Sequence, residues 1–426
     1  MVLRGCAVTV RPRFIFVIMT SAKIIFDAKR NLLVCVDPRV SLASVSIWFR
    51  AGSRFDAVGK EGVAHLFEHV LLRGDDVNGA DASLREQESR GVVGGAYTNY
   101  ETSYVFGIGA PNDAGIMLRE LLRAVQTVAV TPAALRKEKQ VVVAEMNEAQ
   151  QDAMQMVRVL SNQAVWPNSV LGRNLYGTPT SLQKVRVGDL SSFWRDQYQS
   201  PMIVCVVPDE GLAQQVQKLV KGAKPAPANP TTELNTVLPE IVRERDGDST
   251  AVCVAYRIAP QGDWKSHAVA AVVRDYLANF WSSRLNQELR SNKSHAYWVR
   301  GETTHLSDTG VLRILFEVDT SLVEQCRKTI SREIALLRLG TCDAVLLRTC
   351  KKMIRLTQQR AWSDPEELMW WYGWPTSLGI EPMTTDAWLE ILQSVTARDV
   401  TRFAQTWLQE EHCSVALYGA VGKMKK

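Results

Sequence analysis

The chain has 426 residues, 46% hydrophobic and 22% charged, the composition of an ordinary globular protein with enough length for two or three domains and large cores. Its formal net charge of +5 is carried by the first thirty residues, where Arg4, Arg11, Arg13, Lys23, Lys29 and Arg30 face only Asp27, so no basic face for nucleic acid is expected. No stretch approaches roughly eighteen uninterrupted apolar residues, so no membrane span is expected.

The eight cysteines are scattered without a C-x-x-C pair, and several lie in apolar runs such as Met202 to Val207; they read as buried thiols of a reducing compartment. At the N-terminus, residues 1–26 contain no acid and one short apolar run, Phe14 to Met19. This reads as a targeting leader over about residues 1–22, as an upstream extension, or as a first strand.

Asn31 to Val36 and Ser44 to Arg50 are expected strands, separated by a turn at Asp37-Pro38. The next segment, Gly62 to Gly74, is an expected helix. Val63, Leu66, Phe67, Val70 and Leu71 follow its apolar rhythm, while His65 and His69 share one face with Glu68 beside them. Two imidazoles one turn apart can hold one metal ion, and a carboxylate next to it can take a proton from water. H-x-x-E-H is the inverted zinc-peptidase motif. A buried helix that happens to carry two histidines is the competing reading, and a third ligand decides between them.

Ala80 to Arg90 is an expected helix, and Ala96 to Ile108 an extended run. Thr131-Pro132 starts a helix expected to continue past Met154, with Glu138 and Glu145 on one face. A loop with Pro167, Gly172, Gly177 and Pro179 leads to a helix at Asp189 to Tyr198 and a strand at Met202 to Val207. The proline-rich stretch 223–240 is the expected linker between units 1–222 and 241–426. The second unit restarts with a strand at Ala251 to Ile258, a helix from Trp264 to Arg290, and strands at Tyr297 to Arg300 and Val311 to Val318. Helices at Leu322 to Leu339, Asp343 to Arg360 and Ala397 to Gln409 and a last strand at Ser414 to Tyr418 complete it. The shared order suggests an α+β protein built from two copies of one mixed α/β sandwich, only the first bearing H-x-x-E-H. The aromatic cluster at Met369 to Trp374 is expected to serve packing or an interface.

With Glu138-Lys-Gln-Val141-Val-Val-Ala-Glu145 following His69 at this distance, the chain resembles the pitrilysin family of inverted-motif zinc peptidases. The resemblance implies that His65, His69 and Glu145 hold one zinc ion, that Glu68 is the general base, and that Glu138 orients a histidine from behind. It further implies that the stretch Gly95, Ala96, Tyr97 and Thr98 is the substrate-edge strand, with Gly95 where the family usually has asparagine. After Ser282-Ser283-Arg284-Leu285, Arg290 and Tyr297 match the family's substrate-binding and oxyanion-stabilising pair. The glycines usual before that segment are here Ala278-Asn279-Phe280-Trp281, and a usual Gly-Leu is Ser294-His295.

The implied fold is two homologous processing-peptidase-like domains forming half of a clamshell chamber. The implied function is a zinc metalloendopeptidase acting on peptides or unfolded segments, as a homodimer because both residue sets are retained, or else a heterodimer. A bacterial-type cytoplasmic location is expected, with the mitochondrial matrix as the alternative. The competing functions are a non-catalytic core subunit of a respiratory complex and the zinc-bearing subunit of a heterodimeric processing peptidase.

Overall fold

A computed structural model of the chain describes residues 22–73, 80–126, 129–222, 231–292 and 295–422; residues 1–21 of the expected leader and the first part of the expected linker, 223–230, lie outside them. The first half runs β1 (Lys23–Asp27), β2 (Leu32–Val36), β3 (Ala43–Phe49), α1 (Val63–Arg73), α2 (Ala80–Ser89), β4 (Val93–Thr98), β5 (Ser103–Gly109), α3 (Ala114–Gln126), α4 (Pro132–Gln151), α5 (Ala153–Val165), α6 (Pro179–Lys184), α7 (Val187–Gln197), β6 (Met202–Val207) and α8 (Glu210–Leu219). The second half runs β7 (Glu240–Glu244), β8 (Ser249–Ile258), α9 (Trp264–Leu277), β9 (Val299–His305), β10 (Gly310–Asp319), α10 (Val323–Arg338), α11 (Ala344–Ala361), α12 (Pro365–Ser377), α13 (Thr385–Gln393), α14 (Ala397–Trp407) and β11 (Cys413–Gly419).

Two sheets result, in the orders β1-β2-β6-β3-β5-β4 and β7-β11-β8-β10-β9. Apart from β1, they are the same sheet built twice: β2 in the first and β7 in the second pair parallel with the last strand of their half (β6, β11), and every other pair is antiparallel. Strands β2, β3 and β6 are buried along their whole length, as sheets covered on both faces require.

The covering is reciprocal. Helix α5 of the first half packs on β8 and β11 of the second sheet, and α12 of the second half packs on β3 and β6 of the first. Arg158 on α5 makes a two-pronged ion pair with Glu302 on β9 at 2.7 and 3.0 Å. Ser44 on β3 donates to the Pro365 carbonyl and Arg50 to the Ser377 carbonyl at the two ends of α12. Between the halves lies a buried ionic knot: Arg54 pairs with Glu101 and, at 2.9 Å, with Asp308, while Ser307 N–H donates to both Glu101 oxygens. The described part of the expected linker is held by the same knot, because Thr232 N–H donates to Asp308.

Four sequence expectations are corrected. The run 96–108 is a hairpin, β4 and β5, whose turn is folded by the Asn99 carboxamide oxygen accepting from the N–H groups of Glu101 and Thr102. The helix expected to pass Met154 stops at Gln151, because Asp152 is extended and its carboxylate caps a new helix at Met154 and Gln155. The helix expected to reach Arg290 stops at Leu277; Asn279 adopts a left-handed backbone (φ 80°), and a separate π-type turn covers Asn286–Ser291. The strand expected from Tyr297 begins at Val299, leaving Tyr297 in the loop before it.

Candidate metal centre

Helix α1 is fixed from below by the apolar rhythm read in the sequence: Val63, Leu66, Phe67, Val70 and Leu71 are all buried. Its start is fixed by Asp56, whose carboxylate accepts from the N–H groups of Gly62 (2.7 Å) and Ala64 (2.8 Å). Burial pushes the Asp56 carboxyl up to about 7, against the opposing pull of those two N–H groups.

These anchors leave His65 and His69 on the opposite face, each with less than a tenth of its surface exposed. Helix α4 crosses α1 and brings its two glutamates to them. His69 Nε2 lies 3.4 Å and His65 Nε2 3.8 Å from Glu145 Oε2, and one ligand atom from each of the three residues lies within 4.8 Å of the others. Tetrahedral ligands about 2.0 Å from one ion stand roughly 3.3 Å apart, so this set fits a zinc-class cation. Behind it, His69 Nδ1 is 3.4 Å from the buried Glu138 carboxylate, which accepts its proton and leaves Nε2 with a lone pair for metal.

Burial, then the neighbouring His69, pushes His65 down to about 3, so its ring is neutral near pH 7 and able to coordinate. Its Nδ1 is buried without a hydrogen-bond partner among the described residues. Glu68 projects from α1 beside the ligands and is half-buried.

Tyr176 is a neighbour the sequence reading passed over. Its ring stands edge-on to His65 with centroids 4.8 Å apart, and Gln155 donates to its hydroxyl at 3.5 Å. Two glycines put it there. Gly62 and Gly177 both have positive φ, and a Cβ on either would fall 2.3 Å or less from the backbone of the other's segment, at Tyr176 and Glu61. Burial first, with the charges of Glu145 and Glu68 among the further causes, raises the Tyr176 phenol above its ordinary value.

Strand β4, carrying Gly95, Ala96, Tyr97 and Thr98, is the edge of the first sheet and packs beside α1. Its outer main-chain groups have no strand partner among the described residues. At Gly95 the space a side chain needs is taken by the Phe106 ring, 3.1 Å from where a Cβ would stand.

Arg290 and Tyr297 are brought to each other. The Arg290 guanidinium lies 4.0 Å from the Trp281 ring and 5.0 Å from that of Tyr297, and both rings are largely exposed. Trp281, which stands where the family's glycines are expected, is thus part of the arginine's seat.

Comparisons with known proteins agree with this architecture. The profile described as "Insulinase (Peptidase family M16)" matches residues 33–179, and that of the "Peptidase M16 inactive domain" matches residues 184–353. An uncharacterized zinc protease of Bacillus subtilis is 22% identical over 396 residues, covering 91% of this chain and 95% of that protein. The mitochondrial-processing peptidase subunit beta of Bos taurus is 23% identical over 193 residues, only 43% of this chain and 39% of that one. Among solved structures, a protease from Helicobacter pylori superposes with a TM-score of 0.83 at 16% identity, covering 94% of this chain and 100% of that chain. Complex III2 from Candida albicans contains a chain that superposes with a TM-score of 0.76, also at 16% identity, covering 92% of this chain and 94% of that one. With both profiles matched in order across the two repeated sheets, the chain belongs to peptidase family M16, in its short two-domain form.

Proposed function

We propose that the protein is a zinc-dependent metalloendopeptidase acting on peptides or unfolded polypeptide segments. The observation that carries this reading is the convergence of His65, His69 and Glu145 within 4.8 Å, with Glu68 on the same helix face. A zinc ion held by these three residues would supply Lewis-acid activation of water and of the scissile carbonyl. Glu68 accepts the proton of the attacking water and delivers it to the leaving amine. Glu138 keeps His69 in the coordinating tautomer. The outer edge of β4 pairs with the substrate main chain, holding it extended past the ligands. Arg290 binds a substrate carbonyl, and Tyr297 donates to the oxyanion.

Arg290 and Tyr297 belong to the unit 241–426 and the metal ligands to the unit 1–222, joined by 223–240. Because Tyr297 is exposed and the half-buried Arg290 is seated on the rings of Trp281 and Tyr297, the reading includes a homodimer. Two copies close a chamber, and the pair of one protomer serves the metal centre of the other. The buried cysteines at Cys35, Cys205, Cys253, Cys326 and Cys350 fit a reducing compartment, and the proposed location is the cytoplasm, with the mitochondrial matrix as the alternative. The likeness to a chain of complex III favours one second reading, a non-catalytic core subunit. A scaffold, however, has no use for Glu68 beside three converging ligands.

The test is cleavage of a quenched fluorogenic peptide library, with zinc content by elemental analysis, for wild type and Glu68→Gln. Zinc near one per chain in both, with turnover only in wild type, is the expected result. A folded protein without zinc would overturn the peptidase reading in favour of the scaffold.

A further inference from the structure

The cluster at Met369 to Trp374 does more than pack α12 onto the first sheet. Met369 and Tyr372 are fully buried, but Trp370, Trp371 and Trp374 turn to a cavity of about 450 Å³, walled further by Trp264, Trp362 and Tyr97. Tyr97 lies on β4, edge-on to Trp370 at 5.5 Å between centroids, so this cavity adjoins the edge where a peptide would pair.

The wall carries neutral polar side chains, among them Asn99, Gln261 and Gln358, and a single carboxylate among the described lining residues. Glu367 lines the cavity, and no lysine or arginine does among the described lining residues. Burial, then the charges of Asp364 and Glu366, raises the Glu367 carboxyl, which marks a negative surround. His305, nine-tenths buried, also lines it. Its Nδ1 is 3.0 Å from the Ala259 carbonyl, which can only accept, so Nδ1 carries the proton. Nε2 is then a lone pair, and it is buried without a hydrogen-bond partner among the described residues. Burial holds the ring near pKa 4, so it stays neutral. The Trp374 Nε1–H is likewise buried without a hydrogen-bond partner among the described residues.

We infer that this cavity is a recognition pocket for an arginine side chain of a peptide lying along β4. A guanidinium donates in several directions at once, stacks on indole faces, and balances a carboxylate, whereas its methylene stem accepts apolar walls. It would donate to His305 Nε2 and Glu367, and a main-chain carbonyl of the same peptide would accept from Trp374. A wholly apolar side chain would leave these buried groups unmatched. The inference rests on the peptidase reading only for β4 as the peptide's seat; binding itself requires no catalysis.

The test uses the full chain carrying Glu68→Gln, so that the peptides stay intact, and follows tryptophan fluorescence and calorimetry. Three blocked pentapeptides differ only at the central residue: arginine, its uncharged isostere citrulline, or phenylalanine. Arginine is expected to bind about tenfold more tightly than citrulline, and Glu367→Gln, an exposed position that leaves the fold intact, to cut that ratio to about threefold or less. Equal binding of arginine and citrulline, tighter binding of phenylalanine, or a preference unchanged by Glu367→Gln each overturns the pocket. Loss of arginine preference in a chain that still cleaves peptides sinks the pocket alone. Arginine-selective binding in a wild-type chain that cleaves nothing sinks the peptidase reading alone.

Discussion

His69 Nδ1 stands 3.4 Å from the Glu138 carboxylate, and both side chains are buried. Glu138 is seven residues before Glu145 on α4, so two turns of one helix grip the same imidazole from both sides, one carboxylate setting the tautomer and the other sharing the coordination face. Glu138→Gln keeps the shape but removes the charge that favours a proton on Nδ1. Zinc affinity, read by competition with a fluorescent chelator, is expected to fall roughly 10- to 100-fold, with helix content unchanged. Unaltered affinity would mean that Glu138 only fills space.

Gly95 and Phe106 face each other across the β4–β5 pair, and the Phe106 ring occupies the volume of the side chain that residue 95 lacks. Gly95→Asn should therefore cost about 1 kcal/mol, since the ring has to leave its rotamer. Adding Phe106→Val should return most of that loss. Denaturant unfolding of the two single variants and the double variant measures the coupling; additive effects would show that the ring is not the obstacle.

What the sequence made legible, and what it did not, follows from the range of the forces involved. The meeting of His65, His69 and Glu145 could be anticipated because the apolar rhythm and both histidines are set by one helix, and α4 carries Glu138 and Glu145 by the same periodicity. The repeat of the two sheets was visible as element order. The end of α9 was not, because Asn279 breaks it through distant bonds: its amide N–H donates to Asp275 and the Gly301 carbonyl, and Gly301 N–H donates back. Nor was the exchange of α5 and α12, since an apolar helix face does not say which sheet it will meet. Tyr176 reaches His65 only through the close approach of Gly62 and Gly177, 115 residues apart, and no local pattern announces that.

The exchange of α12 depends on one missing side chain. Gly373 lies flat on the Trp48 indole, and a Cβ there would stand 2.2 Å from Trp48 Cε2. Trp48 cannot yield, because it stacks on Tyr104 at 4.0 Å and donates its N–H to Ser46 at 2.7 Å. Gly373→Ala should thus destabilise by about 3 kcal/mol despite the better helix propensity of alanine. Gly188 on α7 has open space around it, and Gly188→Ala should stabilise by a few tenths up to about 0.5 kcal/mol. Opposite shifts in melting temperature are the expected pair; a stabilising Gly373→Ala would contradict the packing of α12 on β3.

Acid should weaken the second half through His305. Burial lowers its pKa from 6.5 to about 4, although the Ala259 carbonyl pulls the other way. The unfolded chain therefore binds the proton first as pH falls, so the stability this residue allows is present above pH 6.5 and is lost progressively down to about 4. The loss should approach about 3 kcal/mol at the lower end. His305→Asn, which keeps a donor for the Ala259 carbonyl but does not titrate, should flatten that part of the profile. Urea unfolding of both proteins at pH 7 and 4.5, with chelator present throughout so that metal release does not contribute, measures the difference. Parallel profiles would mean that His305 is as accessible to protons in the folded protein as in the unfolded one.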